Sequence, residues 1–293
     1  RHSAPPSIAC RVILPGCALK SIPTAARIDH LPPTAYILDS RESVMQGKVA
    51  IVTGGAGGIG TAVSRAFPSE GVGVAVADVD GAKANELAAE IVSEGGNALG
   101  VKVEVTSEES VVSAVERIVD HFGRVDFFVH CAGNNIKAPV LELSAADWSR
   151  VLDTHLTGAF LFSKAVGKYM VEQGDGGRVV FMSSVAATSP VPERGAYSPA
   201  KAGLVGLAGV LSLEWADYHI NVNAVCPGVV LTPMTEMTYT REPELRAQRL
   251  KRMPARREAN PEEVADLVLF LCSEKSTHIN GAAIPIDGAF LNN

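Results

Sequence analysis

From residue 48 onward, short apolar runs alternate with helical patterns along almost the whole chain, and no other feature limits the fold as tightly. The runs expected as strands are 48–53, 73–77, 98–103, 125–130, 178–182, 221–225 and 282–286. Between them lie helical patterns over 58–69 (which Pro68 should end early), 81–94, 107–122, 147–172, 196–218 and 261–272. A helix between successive strands is the crossover that parallel pairing requires. Runs such as VAIV and RVVFM are apolar on both faces, as strands covered by helices on both sides must be. The expected fold is therefore α/β: an open, doubly wound parallel sheet of about seven strands in a single domain.

Two segments break the rhythm. Residues 1–44 hold Pro5, Pro6, Pro15, Pro23, Pro32 and Pro33 and show no sustained period, whereas MQGKVAIVTGG from Met45 looks like a natural start. The first segment is expected to be an N-terminal extension outside the fold, dispensable for it, and residues 45–293 the domain. A transit peptide is the rival reading, since Arg1, Arg11, Lys20 and Arg27 precede the first acid, Asp29. Residues 232–257 form the second segment, long, polar and Met-containing, beyond the end of a strand. Such insertions carry function more often than scaffold, so a substrate-binding lobe is expected there, with Met234, Met237 and Tyr239 in it.

Composition narrows the partners. The net charge of −6 argues against a nucleic-acid surface. The densest basic cluster, Arg249, Lys251, Arg252, Arg256 and Arg257, is diluted by Glu242, Glu244 and Glu258. The longest apolar stretch, 203–213, is too short to span a bilayer, so no membrane partner is expected. Cysteines at 10, 17, 131, 226 and 272 form no close pair in the body of the chain, which reads as reduced thiols in the cytoplasm. No ligand-spaced Cys/His set occurs, and no metal site is expected.

The string Thr53-Gly54-Gly55-Ala56-Gly57-Gly58-Ile59-Gly60 falls between the first strand and the first helix. Glycines there let the backbone approach a pyrophosphate, which also meets the helix N-terminus. Two spacings fit: Gly55, Gly57 and Gly60 as GxGxxG, or Gly54, Gly58 and Gly60 as TGxxxGxG. Asp78 ends the second strand, where an acid accepts hydrogen bonds from ribose hydroxyls and repels a 2′-phosphate. Neither Val79 nor Gly57 offers a cation to such a phosphate, so NAD(H) is expected over NADP(H). A solvated acid opening the VDGAK turn is the plainer alternative.

Tyr197 and Lys201 lie four apart in AYSPAK, on one face of a helix. A phenol titrates near 10 when free; a nearby ammonium and a helix N-terminus both favour its anion. Ser184 ends the fifth strand, where its hydroxyl either caps the strand or holds a substrate oxygen. Thr232, beyond Pro227-Gly228, offers a hydroxyl to a nicotinamide amide.

On these residues, with CAG at 131–133 and PIDGAF at 285–290, the chain resembles the short-chain dehydrogenase/reductase family over about 45–290. The resemblance implies a Rossmann-type sheet and hydride transfer between nicotinamide C4 and a substrate carbon. It implies Tyr197 as general acid/base, Lys201 lowering its pKa and holding the nicotinamide ribose, and Ser184 orienting the substrate oxygen. Cofactor contacts carried over are Gly54, Gly58, Ile59, Gly60, Asp78, Glu104, Val105, Ala132, Gly133, Tyr197, Lys201, Pro227, Gly228, Val230 and Thr232. The family's helix pairing implies a homotetramer or homodimer. Two positions depart from its pattern. His130-Cys131-Ala132-Gly133 stands where Asn-Asn-Ala-Gly is usual, and His155 takes the place of the Asn that is the family's fourth catalytic residue. That Asn is thought to hold a water linking the lysine to solvent; His155 either replaces it or packs in the helix.

Polar loop residues Asn134, Asn135, Glu193 and Arg194 suggest a hydroxylated substrate, and the wording of AGNNIKAPV is similar to sugar-acid and polyol dehydrogenases. A 3-oxoacyl carrier-protein reductase is the runner-up, disfavoured by Asp78. A non-catalytic NAD-binding protein is the rival from another class, disfavoured by the intact Ser–Tyr–Lys set.

Overall fold

The computed structural model describes residues 45–293; the extension expected over 1–44 lies outside the described residues. Strand β1 (Val49–Thr53) is buried at every position. It is followed by β2 (Gly73–Asp78), β3 (Ala98–Lys102), β4 (Phe127–His130), β5 (Gly177–Met182), β6 (Ile220–Pro227) and β7 (Ala283–Ile286). They form one sheet in the order β3-β2-β1-β4-β5-β6-β7, every pairing parallel. The chain winds outward from β1 to β3, then returns to lay β4 on the other side of β1. At that reversal the loops after β1 and β4 diverge and leave a crevice above the strand ends.

Alternation along each strand sends side chains to two cores. Ile51 and Phe128 point to one, with Val111 and Ile118 of α3 (Glu108–Phe122), Phe162 and Met170 of α5 (Gly158–Gln173) and Leu204 of α6 (Tyr197–Glu214). Ala50, Val52, Phe127 and Val129 point to the other, with Val63 of α1 (Gly58–Ala66), Leu87 and Ile91 of α2 (Gly81–Ser93) and Val264 and Val268 of α9 (Pro261–Cys272). As its proline requires, α1 gives way to a 3₁₀ turn over Phe67–Glu70. Among the described residues no helix is long and apolar enough to cross a membrane.

The helix expected over 147–172 is not a single α-helix. α4 (Ala145–Leu152) passes into a π turn over Asp153–Thr157 and then into α5, the backbone staying helical throughout. Inside this turn the Thr154 hydroxyl donates to the Arg150 carbonyl at 2.9 Å, a side-chain bond that competes with the regular ladder.

The lobe expected over 232–257 is a pair of short helices, α7 (Pro233–Arg241) and α8 (Pro243–Arg252). Each begins on a proline, whose missing N–H is no loss in a first turn. Arg246 ties the lobe to the body by a two-pronged ion pair with Glu258, and Lys137 reaches Glu242 at 3.7 Å where α7 meets α8.

Candidate active site

A cavity of about 1110 Å³ opens at the crevice. All the residues expected to hold cofactor line it, from Gly54 to Thr232, together with Ser184 and His155. Strands far apart in sequence end at one level, which is why their terminal residues meet there.

The glycine loop resolves the two spacings. Gly58 has φ +43°, and a Cβ at Gly60 would sit 2.0 Å from the Gly54 carbonyl oxygen. Gly57 has φ −128°, and a Cβ there would come no nearer than 3.8 Å to any atom beyond its neighbours. Gly55 demands glycine as well, since a Cβ there would lie 2.6 Å from the Val52 carbonyl oxygen, but Gly57 does not, so only the Gly54, Gly58, Gly60 spacing is required at every position. No side chain caps α1, so the N–H groups of its first turn face the cavity free to meet an anion. Thr232 closes the loop from above, its methyl 3.5 Å from where a Gly58 Cβ would stand. Its hydroxyl accepts from the Thr235 N–H at 3.3 Å and so caps α7, a duty the sequence reading had not given it.

Asp78 accepts from the Ala56 N–H at 3.1 Å and from the Asp80 N–H at 3.0 Å, which fixes its carboxylate on the cavity wall. The bond from the Asp80 N–H is the turn contact of the plainer alternative, so Asp78 serves that turn while it stands on the cavity wall. The wall also holds a cation that sequence reasoning missed: Lys83, one turn into α2, paired with Asp80 at 3.1 Å. Its spacing from Asp78 carried no signal, because nothing in the sequence shows which way the first turn of α2 faces.

Tyr197, Lys201 and Ser184 converge. Lys201 is buried, its ammonium 5.5 Å from the centre of the Tyr197 ring and donating to the Met182 carbonyl at 2.6 Å. Burial pushes its pKa down to about 8. Of the two roles the sequence allowed Ser184, capping is the one seen, at the short turn that follows β5. The Ser184 hydroxyl accepts from the Ala186 N–H at 3.1 Å and is hydrogen-bonded to Tyr197. Burial raises the Tyr197 phenol above its ordinary value, against the pull of Ser184 and of the Arg194 guanidinium. The lowering expected from Lys201 is not among the effects on Tyr197, where burial dominates: the desolvation of a phenol below the surface cannot be read from helical spacing.

His155 sits in the π turn, buried, with its ring edge-on to Tyr197 at 5.5 Å between centres. Its Nε2 lies 2.7 Å from the Asn134 carbonyl oxygen, and its Nδ1 has no partner among the described residues. Burial holds its pKa down at about 2, with the charge of Lys201 adding to the effect. His130, at the end of β4, is also buried. Its Nδ1 lies 2.8 Å from the Thr53 hydroxyl, and burial holds its pKa at about 3. Both imidazoles are neutral at physiological pH. Asn134 was expected on the substrate side. It lines the cavity, and its amide donates to the Arg150 carbonyl at 3.2 Å and the Thr154 hydroxyl at 2.7 Å, bracing the π turn. Tyr239 is buried within the lobe, between the guanidinium groups of Arg246 and Arg249, rather than at the cavity wall.

A Gly cradle at a helix N-terminus, an acid at the end of the second strand and a Ser–Tyr–Lys set on one cavity define a nucleotide-dependent oxidoreductase site. Comparison with known proteins agrees. A family model described as Enoyl-(Acyl carrier protein) reductase matches residues 35–290. The chain is similar to D-threitol dehydrogenase of Mycolicibacterium smegmatis, 39% identical over 247 residues, which cover 84% of this chain and 94% of the relative. It is similar to a 3-oxoacyl-[acyl-carrier-protein] reductase of Thermotoga maritima, 35% identical over 84% of this chain and 99% of the relative. The crystal structure of gox2181 superposes with a TM-score of 0.83 at 33% identity, covering 86% of this chain and 98% of that one. The chain belongs to the short-chain dehydrogenase/reductase family. It is an oxidoreductase of that family, acting on alcohols or ketones with a nicotinamide cofactor.

Proposed function

We propose that this protein is an NAD(H)-dependent dehydrogenase that interconverts a secondary alcohol, a polyol or sugar acid, with its ketone. The observation that carries the reading is the single cavity joining the Gly54–Gly60 loop and Asp78 to Tyr197, Lys201 and Ser184. The residues present fit a dinucleotide: a side chain at Gly60 would fill the cradle, and the Asp78 carboxylate is held in place to accept from ribose hydroxyls. A bound nicotinamide supplies the hydride acceptor or donor. Ser184 and Tyr197, already hydrogen-bonded to each other, hold the substrate oxygen between them. In alcohol oxidation Tyr197 must first be ionised; its phenolate oxygen then takes the hydroxyl proton as hydride leaves the carbinol carbon for the cofactor, which yields the ketone, and in ketone reduction the neutral phenol gives that proton back. Lys201 lies against the Tyr197 ring, where its charge favours the phenolate. His155, neutral and edge-on to the same ring, positions Tyr197 rather than exchanging protons with substrate. The protein works in the cytoplasm on this reading.

The test is NAD⁺ reduction with a panel of polyols and sugar acids, run on wild type and Tyr197→Phe. Wild type should turn over part of the panel, and the variant should lose roughly 10²–10⁴-fold in kcat. Near-normal turnover by Tyr197→Phe removes Tyr197 from the chemistry. NADH should bind more tightly than NADPH, with Asp78→Ser narrowing the gap; equal affinities in wild type would refute the NAD(H) preference.

A second reading, a 3-oxoacyl carrier-protein reductase, is favoured by Arg246, Arg249, Lys251 and Arg252 clustered on α8, the kind of basic face an acidic carrier needs. Asp78 on the wall opposes it, since such reductases normally take NADPH. Acetoacetyl thioester reduction with NADPH, faster than any polyol oxidation with NAD⁺, would establish it.

A further inference from the structure

Arg194 has a fixed backbone. Its carbonyl accepts from the Ser198 N–H at 3.0 Å, and it bridges to Ala138, whose N–H donates to the Glu193 carbonyl at 3.1 Å. This places it one turn before Tyr197, close enough for its charge to act on the phenol. The side chain is half-buried, where desolvation works against its charge. Half-buried cations normally find a carboxylate, and two acids are near: Glu193 and Glu242. Both face Lys137 instead, at 3.4 and 3.7 Å. The cation that approaches from the lobe is Arg249, stacked over Tyr239 at 5.7 Å, and its charge repels that of Arg194. Among the described residues neither guanidinium makes a hydrogen bond or an ion pair. By contrast Arg246, one turn from Arg249, is satisfied by Glu258. Arg194 thus lies half-buried, one turn before the residue assigned to proton transfer, with Glu193 and Glu242 acting on it only at a distance and no group hydrogen-bonded to its fork among the described residues. A guanidinium offers a planar fork that matches a carboxylate or phosphate.

We propose that Arg194, with Arg249 beside it, reads an anionic oxygen group on the substrate, a carboxylate or a phosphate ester, so that the hydroxylated substrate is an acid and not a neutral polyol. This rests on the reading that alcohol oxidation takes place at Tyr197. Glu193 and Glu242 make their ion pairs with Lys137, which leaves the forks of both arginines available.

The experiment pairs compounds of matched chain length: threonate with threitol, gluconate with sorbitol, and glycerol 3-phosphate with glycerol, each with NAD⁺ and the full chain. Wild type should favour the anion in at least one pair, and the pair favoured separates carboxylate from phosphate. Arg194→Gln should cut that acid-over-neutral ratio in kcat/KM by roughly 10–100-fold, the range for losing one charged hydrogen bond, with the loss in KM. Arg194→Lys, which keeps charge without the fork, should fall between. An unchanged ratio, with kcat falling for both members and the pH profile displaced, would show that Arg194 serves the Tyr197 phenol and overturn the proposal. Binding is read without turnover as well: the preferred anion, and not its neutral partner, should raise the melting temperature of the NADH-bound protein, less so in Arg194→Gln. That shift in a protein oxidising nothing in the panel would sink the dehydrogenase reading and keep the anion site. No shift and no acid preference would sink the anion site.

Discussion

Lys201 carries a charge where the fold would be more stable without one. Burial takes its pKa from 10.5 to about 8, so below pH 8 the folded protein bears a desolvated ammonium that the unfolded chain keeps in water. Between about pH 8 and 10.5 the folded state has shed this proton and the unfolded state has not. Unfolding then takes up a proton, and stability rises with pH across that window. The effect is isolated by comparison with Lys201→Met, which has no such proton. From pH 7 to 9.5 the unfolding free energy of wild type should gain about 2 kcal/mol on that of the variant. Urea unfolding of both proteins at the two pH values measures it; a constant difference between them would mean that the ammonium is better solvated than its position implies. The same variant should lose activity, which makes residue 201 a place where function is held against stability. None of this was legible in AYSPAK, whose spacing gives the shared helix face and nothing about depth. The Ser–Tyr–Lys set itself was legible, because a strand end and a helix start at those points bring the three together whatever the packing.

At the scale of elements, the turn joining α4 to α5 behaves as a single unit with the end of β4. Asn134 braces it through Arg150 and Thr154, and His155 returns the contact. A π turn widens one helical turn by a single residue, too brief a change to disturb an apolar period read over 147–172, which is why the sequence showed a plain helix. The glycine loop was legible as an element but not in its spacing. Two patterns overlapped in one string, and what separates them is the positive φ at Gly54 and Gly58 and the open space around Gly57. The two imidazoles at this junction make it sensitive to acid. Free histidine titrates near 6.5, and burial holds His155 at about 2 and His130 at about 3. Stability from keeping them neutral is complete above pH 6.5 and is lost as pH falls toward those lower values, because the unfolded chain takes up protons first. Between pH 7 and pH 5 each should remove about 2 kcal/mol. His155→Asn and, separately, His130→Asn should each unfold with a shallower acid dependence by that amount. Denaturation curves at pH 7, 6 and 5 read it, and parallel curves for wild type and both variants would show that neither ring is held neutral by the fold.

At the scale of the whole molecule, several helices carry exposed apolar side chains. On α6, buried Leu204, Ala208 and Leu211 face the sheet, while Val210 and Leu213 are 52% and 81% exposed. Phe160 on α5 is 48% exposed and Trp148 on α4 is 39% exposed. α6 carries apolar residues nearly all round, and the sheet covers only one of its sides. The helices concerned are those that the family resemblance pairs across a two-fold axis, so an assembly through them is the expectation that the exposed side chains put to the test. The outer edge of β7 offers a second such axis, since among the described residues no strand pairs with it, and Phe270 on α9 is 40% exposed. Two axes give a tetramer, one a dimer. Light scattering at micromolar concentration should therefore return a multiple of the 30.7 kDa chain mass. Leu213→Glu combined with Phe160→Glu places four carboxylates around the first axis of a dimer and should lower that mass at least by half. Phe270→Glu should act only on the second axis, turning a tetramer into a dimer and leaving a dimer as it is. Val112→Glu, at a similarly exposed apolar position on α3, is the control and should change nothing. A wild type that runs as a single chain at these concentrations would refute the assembly. A Leu213/Phe160 double variant that keeps the wild-type mass would refute the axis through α5 and α6, and would leave the β7 edge to account for any larger species.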